Sequence, residues 1–314
     1  MNYLNKALQV FQREGLAGVT KRIQFKLGKK NITEIQSEDM EIIREKQIYQ
    51  EQIDTLNHYI ANINFPGIQD FYWYHAVELE NGIVTPGDYD YRNSLDGFHF
   101  PENMTGMKVL DVGSATGFFA FEFEKRGATV TSVELPSLVE WDMIHNEKEN
   151  ILANMMHFHH TAIPKEAFYR HLDGPFEFCQ ARKNTSVKRI FSSIYNLRSQ
   201  LKDDESFDIV FLGDILLHLF SPFMALNVIA PLCKSKLIVA TDLFATKAEV
   251  PLMEFLGTRS KGKDSRTWWM FNDKCIEEML FRVGFSNVKL AGEYSGIMRR
   301  TWSRYHRYVF HATK

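Results

Sequence analysis

Residues 107–117 read MKVLDVGSATG. Met107, Val109, Leu110 and Val112 form an apolar run that ends on two glycines four residues apart, Gly113 and Gly117, with Asp111 set just before them. Such a run predicts a buried strand entering a turn. The next residues, with Phe119 and Phe123 one turn apart and Gly127 closing the segment, predict a helix. Glycine in the turn admits unusual dihedrals and lets the backbone come close to a ligand. In open α/β sheets, ligands sit at the carboxyl ends of strands, where this turn falls.

Working outward, ATVTSVEL at 128–135 is β-branched and predicts a second strand. It ends on Glu134, seventeen residues past Gly117. An acid there can accept hydrogen bonds from both ribose hydroxyls of a nucleoside. Glycines after one strand and an acid after the next point to an adenosine-type cofactor. A dinucleotide site prefers Gly-x-Gly-x-x-Gly and seats a pyrophosphate on the helix N-terminus. Here a carboxylate, Asp111, stands beside the turn. It repels pyrophosphate and suits a cation, which favours S-adenosylmethionine over NAD.

The rest of the chain continues the alternation. Residues 137–183 read mainly as helix, VKRIFSSIYNL as a short strand and loop, and FDIVFLGD as a strand. ILLHLFSPFMALNVIAPLC reads mostly as helix, KLIVATDLF as a strand and 272–283 as a helix ending at Gly284. The tail is strand-like around Val288 and at 308–311. This order predicts a parallel sheet covered by helices on both faces.

Upstream, residues 1–60 contain no proline and predict a helical extension. Residues 1–30 are basic and 31–52 mainly acidic, so the extension suits a membrane surface or a partner, or packs as an ordinary solvated helix. Residues 61–104 form a connector dense in aromatics, including Trp73-Tyr74-His75, expected to roof the site.

The 314 residues carry a formal charge of −2, with 45% hydrophobic residues, which excludes a disordered chain and any global drive toward nucleic acid. Cys179, Cys233 and Cys275 are odd in number and form no Cys-x-x-Cys pair, so neither a disulfide framework nor a cysteine zinc site is expected. No run approaches the ~18 apolar residues of a membrane span. The expected location is cytoplasmic, free if residues 1–60 pack as an ordinary helix and peripheral at the inner membrane face if they dock there.

GMKVLDVGSATGFFAFEFEKRGA, VTSVEL and SFDIVFLGDILLHL resemble the first, second and fourth motifs of class I S-adenosylmethionine-dependent methyltransferases. WWMFNDKCIEEMLFRVGFSNVKL resembles the helix–strand unit near the C-terminus of many members. The resemblance covers about residues 105–314 and implies a Rossmann-like methyltransferase sheet with helices on both faces. It departs at Ala115, where the family usually has glycine, and in the long insertion after Glu134. WYHAVELENGIVTPGDYDYR leans toward the subgroup of tRNA wobble-uridine carboxymethyltransferases, and FQREGLAGVTKRIQFKL is similar to segments of bacterial glycan-assembly proteins.

The resemblance implies that Gly113, Ser114, Ala115 and Gly117 line the methionine end of the cofactor, with Asp111 facing its ammonium. Glu134 would hold the ribose, with Leu135 against the adenine. Ser193 and Ile194 would flank the adenine, and Leu212, Gly213 and Asp214 would floor the reacting methyl. S-adenosylhomocysteine would be the product.

Methyl transfer to an alcohol benefits from a general base. His218 lies four residues after Asp214, so on a helix the two share a face. His75 is the other base candidate. Asp214 and Asp242 both follow strands and could share a divalent cation, but two carboxylates are thin for a metal site and none is expected. Trp73, Trp269 and Arg299 are candidates for acceptor contacts, Arg299 as part of a basic run with Arg300, Arg304 and Arg307 that could grip phosphate or guard an edge strand. His157, His159 and His160 are read as non-ligating. The expected acceptor is a small molecule or a sugar hydroxyl of a surface glycan or its precursor. The alternatives are a tRNA-modifying enzyme of the (carboxy)methyltransferase type, an NAD oxidoreductase, and a cofactor-binding scaffold without turnover.

Overall fold

The computed structural model describes residues 32–257 and 266–314, with side chains from Met40 onward. The basic stretch 1–30 lies outside the described residues. The chain divides into two compact units, Met1–Ile48 and Tyr49–Lys314. The helix α1, Ile32–Ile60, runs across that division. Within the larger unit, its end already belongs to the core, since Leu56 and Ile60 are buried beside the aromatic connector.

A seven-stranded sheet forms the larger unit, in the order β3-β2-β1-β4-β5-β9-β8. Strands β1 (Lys108–Val112), β2 (Thr129–Glu134), β3 (Lys188–Phe191), β4 (Phe207–Gly213) and β5 (Cys233–Thr241) are mutually parallel. β8 (Asn287–Met298) and β9 (Ser303–Thr313) form a long hairpin whose second strand pairs antiparallel to β5. The sheet is parallel from β1 to β5, as expected, and turns antiparallel at this edge. A hairpin return needs only a tight turn, whereas another parallel strand would need a crossover. The strand order reverses at β1, which has β2 on one side and β4 on the other, the switch point at which open α/β sheets bind ligands.

Side-chain alternation builds two cores. Val109, Ile209, Phe211 and Ile238 face one side. Leu110, Val112, Val210, Leu212, Leu237 and Val239 face the other. Strands buried on both faces read as continuous apolar runs, as KVLDV and FDIVFLG do. The first side is covered by α2 (Phe118–Lys125) and by the connector, whose Phe98, Phe100 and Met104 are fully or nearly buried. The second is covered by α6 (Pro222–Ile229) and α7 (Asp273–Arg282).

The insertion after β2 comprises α3 (His145–Phe158), α4 (Pro164–Phe168), one π-helical turn (Tyr169–Asp173) and α5 (Gly174–Lys183). A two-stranded ribbon, β6 (Met253–Phe255) with β7 (Trp269–Phe271), was not expected from the sequence. The segment after β4 is also corrected. Leu216–His218 is a single 3-10 turn, and the helix begins only at Pro222, where proline suits the first turn. Among the described residues no helix is long and apolar enough to cross a membrane. All three cysteines are free and buried.

Candidate active site

A cavity of about 600 Å3 opens at the carboxyl ends of β1, β2 and β4. The turn after β1 forms its inner wall. Gly113 has φ +75, and a Cβ there would lie 2.8 Å from Ile215 Cδ1. Gly117 has φ +90, and a Cβ there would lie 2.6–2.7 Å from the rings of Phe176 and Phe121. Gly117 thus packs behind the loop rather than lining the cavity. Ala115 takes φ 47, a left-handed conformation that glycine adopts freely and alanine does not. Its backbone N–H donates to Glu134 Oε2 at 2.8 Å, which holds it there.

Glu134 is buried, and its Oε1 accepts from Leu135 N at 2.9 Å. Burial raises its pKa, while the Arg189 guanidinium and the two backbone N–H groups pull it back. Asp111 is 1% exposed, and among the described residues its Oδ2 has no hydrogen-bond partner. Burial, seconded by the Glu134 charge, pushes its pKa up to about 7. Arg189 lies behind both acids and pairs with Asp173 at 3.2 Å. One guanidinium against Asp111, Glu134 and Asp173 leaves this end of the cavity short of positive charge, a field that favours a cation.

Of the expected cofactor residues, Asp111, Gly113, Ala115, Glu134, Leu135, Ser193, Ile194 and Gly213 line this cavity. Ser193 also caps the turn after β3 by accepting from Tyr195 N. Ser114 and Leu212 do not line it. Ser114 Oγ is 2.6 Å from Ser132 Oγ behind the loop, and Leu212 points into the second core, because successive strand residues face opposite sides.

Asp214 and His218 both face the cavity, though not from one helix. Asp214 has φ 50 and is gripped by Arg307 Nε at 2.7 and 2.8 Å. The same guanidinium lies 3.4 Å from Asp242, so the two carboxylates share an arginine. His218 Nδ1 is 2.7 Å from the Arg266 carbonyl oxygen. A carbonyl only accepts, so Nδ1 carries the proton and Nε2 is the basic nitrogen. His75 is buried in the wall among Tyr91, Phe118 and Phe119, and burial drops its pKa to about 3. It is therefore neutral at any working pH, and among the described residues its Nδ1 has no partner.

The three expected acceptor contacts are corrected. Trp73 packs in the core against Phe71 and Phe178, while Tyr72 and Tyr74 on either side face the cavity. Trp269 packs on Phe255 and donates to the Phe220 carbonyl, away from the cavity. Arg299 is buried, bonding Gln52 Oε1 at 2.8 Å, the Gly87 carbonyl at 3.1 Å and Asp90 Oδ2 at 3.1 Å. It ties the end of α1 to the connector. The basic run is broken up: Arg299 and Arg307 are drawn into the fold onto Asp90 and Asp214, while Arg300 pairs with Asp88 and remains exposed.

Sequence reasoning missed the cavity's outer wall, made by Tyr72, Asp88, Trp141, Phe158, His171 and Arg300. The signal for Tyr72 was the alternation in Phe71–His75. Trp141 lies seven residues past Glu134, and nothing local marked His171.

No family model matches this sequence, and no curated protein matches it. Among solved structures, the chain is similar to magnesium protoporphyrin IX methyltransferase from Synechocystis PCC 6803 with bound SAH (17% identity, 70% of this chain, 78% of that chain, TM-score 0.40). It is also similar to the N-terminal domain of EvdMO1 in the presence of SAH and D-fucose (13% identity, 78% and 93% covered, TM-score 0.47). A third is 1,6-didemethyltoxoflavin-N1-methyltransferase from Burkholderia thailandensis (17% identity, 67% and 72% covered, TM-score 0.40).

Proposed function

We propose that this protein is an S-adenosylmethionine-dependent methyltransferase that acts on a sugar hydroxyl of a surface glycan or its precursor. One observation carries the cofactor: two buried carboxylates, Asp111 and Glu134, end adjacent strands and face one cavity, the first with an unpartnered oxygen. That oxygen suits an ammonium, and Glu134 suits a pair of ribose hydroxyls. A pyrophosphate would meet Asp111 with like charge. Leu135, Ser193 and Ile194 supply the slot for a purine.

Bound S-adenosylmethionine would supply a methyl group already activated on sulfonium. The chain then has to orient an acceptor and remove its proton. His218 Nε2 is the group suited to take the proton, since the Arg266 carbonyl fixes the tautomer. His75, held neutral, is suited to donate or accept a hydrogen bond rather than to remove a proton. Burial raises the pKa of Asp214 and the Arg307 guanidinium pulls it back, orienting the carboxylate rather than leaving it to a cation. The connector roofs the cavity through Tyr72, Tyr74, Tyr89 and Tyr91. Two of the four arginines that would have favoured tRNA, Arg299 and Arg307, are turned inward onto carboxylates, which weighs for a small acceptor.

The test is transfer of isotope-labelled methyl from S-adenosylmethionine into fractionated cell material. Label in glycan or nucleotide-sugar fractions is the expected result. Label in RNA alone would replace the acceptor assignment, and tight NAD binding without S-adenosylmethionine binding would overturn the cofactor.

A further inference from the structure

The outer half of the cavity holds a fixed polar group with no part in the cofactor end. Arg300 Nε donates to Asp88 Oδ2 at 2.9 Å, and Tyr72 Oη donates to the same oxygen. The Arg300 guanidinium lies 4.7 Å from the Tyr72 ring centroid and 5.5 Å from that of Phe158. On Tyr72 also stacks His171, at 4.7 Å and 7°. The π-helical turn Tyr169–Asp173 carries His171 into the cavity, and such turns recur at functional sites. His171 Nδ1 is 3.0 Å from His159 Nε2, so its ring is oriented from behind. No hydrogen bond to its Nε2 is present among the described residues.

Resting on the methyltransferase reading, we infer that these residues form the subsite for an uncharged hexopyranose ring, with Asp88 and Arg300 reading two adjacent hydroxyls and His171 Nε2 a third. Each ring hydroxyl both donates and accepts. A carboxylate beside a guanidinium offers one acceptor and several donors at matching spacing. Because the pair is mutually neutral, a free anion meets Asp88 and a cation meets Arg300, so neither gains. Two other polar lining groups are engaged elsewhere: Asp142 accepts from Tyr195 Oη, and the Arg266 guanidinium lies 5.1 Å from the Trp141 centroid. Trp141 and Phe158 supply apolar faces for the C–H side of a ring. Phe158 is 49% exposed, a large apolar surface at the rim that a ring would cover.

The test is ligand-observed saturation-transfer NMR on the full chain saturated with S-adenosylhomocysteine. The probes are the methyl α-glycosides of glucose, galactose and mannose, methyl α-D-glucuronide and a short oligoribonucleotide. At least one neutral glycoside should receive saturation, with affinity falling tenfold or more in Arg300→Met and in Asp88→Asn. Calorimetry should show S-adenosylhomocysteine binding unchanged in both variants. Absence of contact with every neutral glycoside, preference for the glucuronide or the oligoribonucleotide, or contact that survives both substitutions would overturn the subsite. Failure of the wild-type chain to bind S-adenosylhomocysteine would instead overturn the cofactor reading.

Discussion

Glu134 carries two jobs at once: it holds the Ala115 amide and presents a carboxylate to the cavity. Glu134→Ala should weaken S-adenosylhomocysteine binding about 100-fold, the loss of two charge-assisted hydrogen bonds, as read by calorimetry. Asp111 gives a pH signature. Its pKa is raised to about 7, so it is largely protonated at pH 6 and ionised at pH 8. An ammonium needs the ionised form, so S-adenosylmethionine affinity should rise across this window and fade as pH falls through 7. Asp111→Asn should bind weakly with no such slope. A slope that persists in Asp111→Asn would assign it to another group. His218→Asn should cut label transfer about 100-fold while leaving S-adenosylhomocysteine affinity intact. Unchanged turnover across pH would remove His218 as the base. At this scale Asp111 and Glu134 were legible because each lies at the carboxyl end of a strand. Trp73 and Arg299 were misread because a strand-like segment sends neighbours to opposite sides, and the sequence does not say which side is the cavity.

The β1–α2 turn is the element that forms the inner wall of the cavity. Gly117→Ala should destabilise the protein by about 2–3 kcal/mol, since the backbone is left-handed and a methyl would press on Phe121 and Phe176. Urea unfolding measures this, and an unchanged midpoint would show that the two rings move aside freely. Strands and α2 were readable from apolar period and β-branching. The segment after β4 was not, because ILLHLF is apolar enough for a helix while Asp214 and the 3-10 turn are set by Arg307 and the Arg266 carbonyl, distant in sequence. The reversal of β9 was equally hidden, since strand direction leaves no trace in hydrophobic pattern.

Across the whole molecule, the end of α1 is part of the core rather than an appendage. Leu56 and Ile60 are nearly fully buried, and Gln52 bonds Arg299. Removal of residues 1–48 should preserve S-adenosylhomocysteine binding. Removal through Ile60 exposes apolar contacts worth about 1.5–3 kcal/mol each and strands a buried guanidinium, so thermal unfolding should fall by about 10 °C or more. Equal melting of the two truncations would show that the end of α1 adds nothing to the core.

Local sequence alone determined the strand–turn–helix at 107–127 and the acid closing the second strand, because each rests on residues adjacent in the chain. Tertiary structure alone decided the outer wall of the cavity. Tyr72 and Asp88 come from the connector, Trp141, Phe158 and His171 from the insertion, and Arg300 from the turn between the last two strands. Those segments are far apart in sequence, and only the burial of their apolar neighbours against one sheet brings their polar groups to a common cavity.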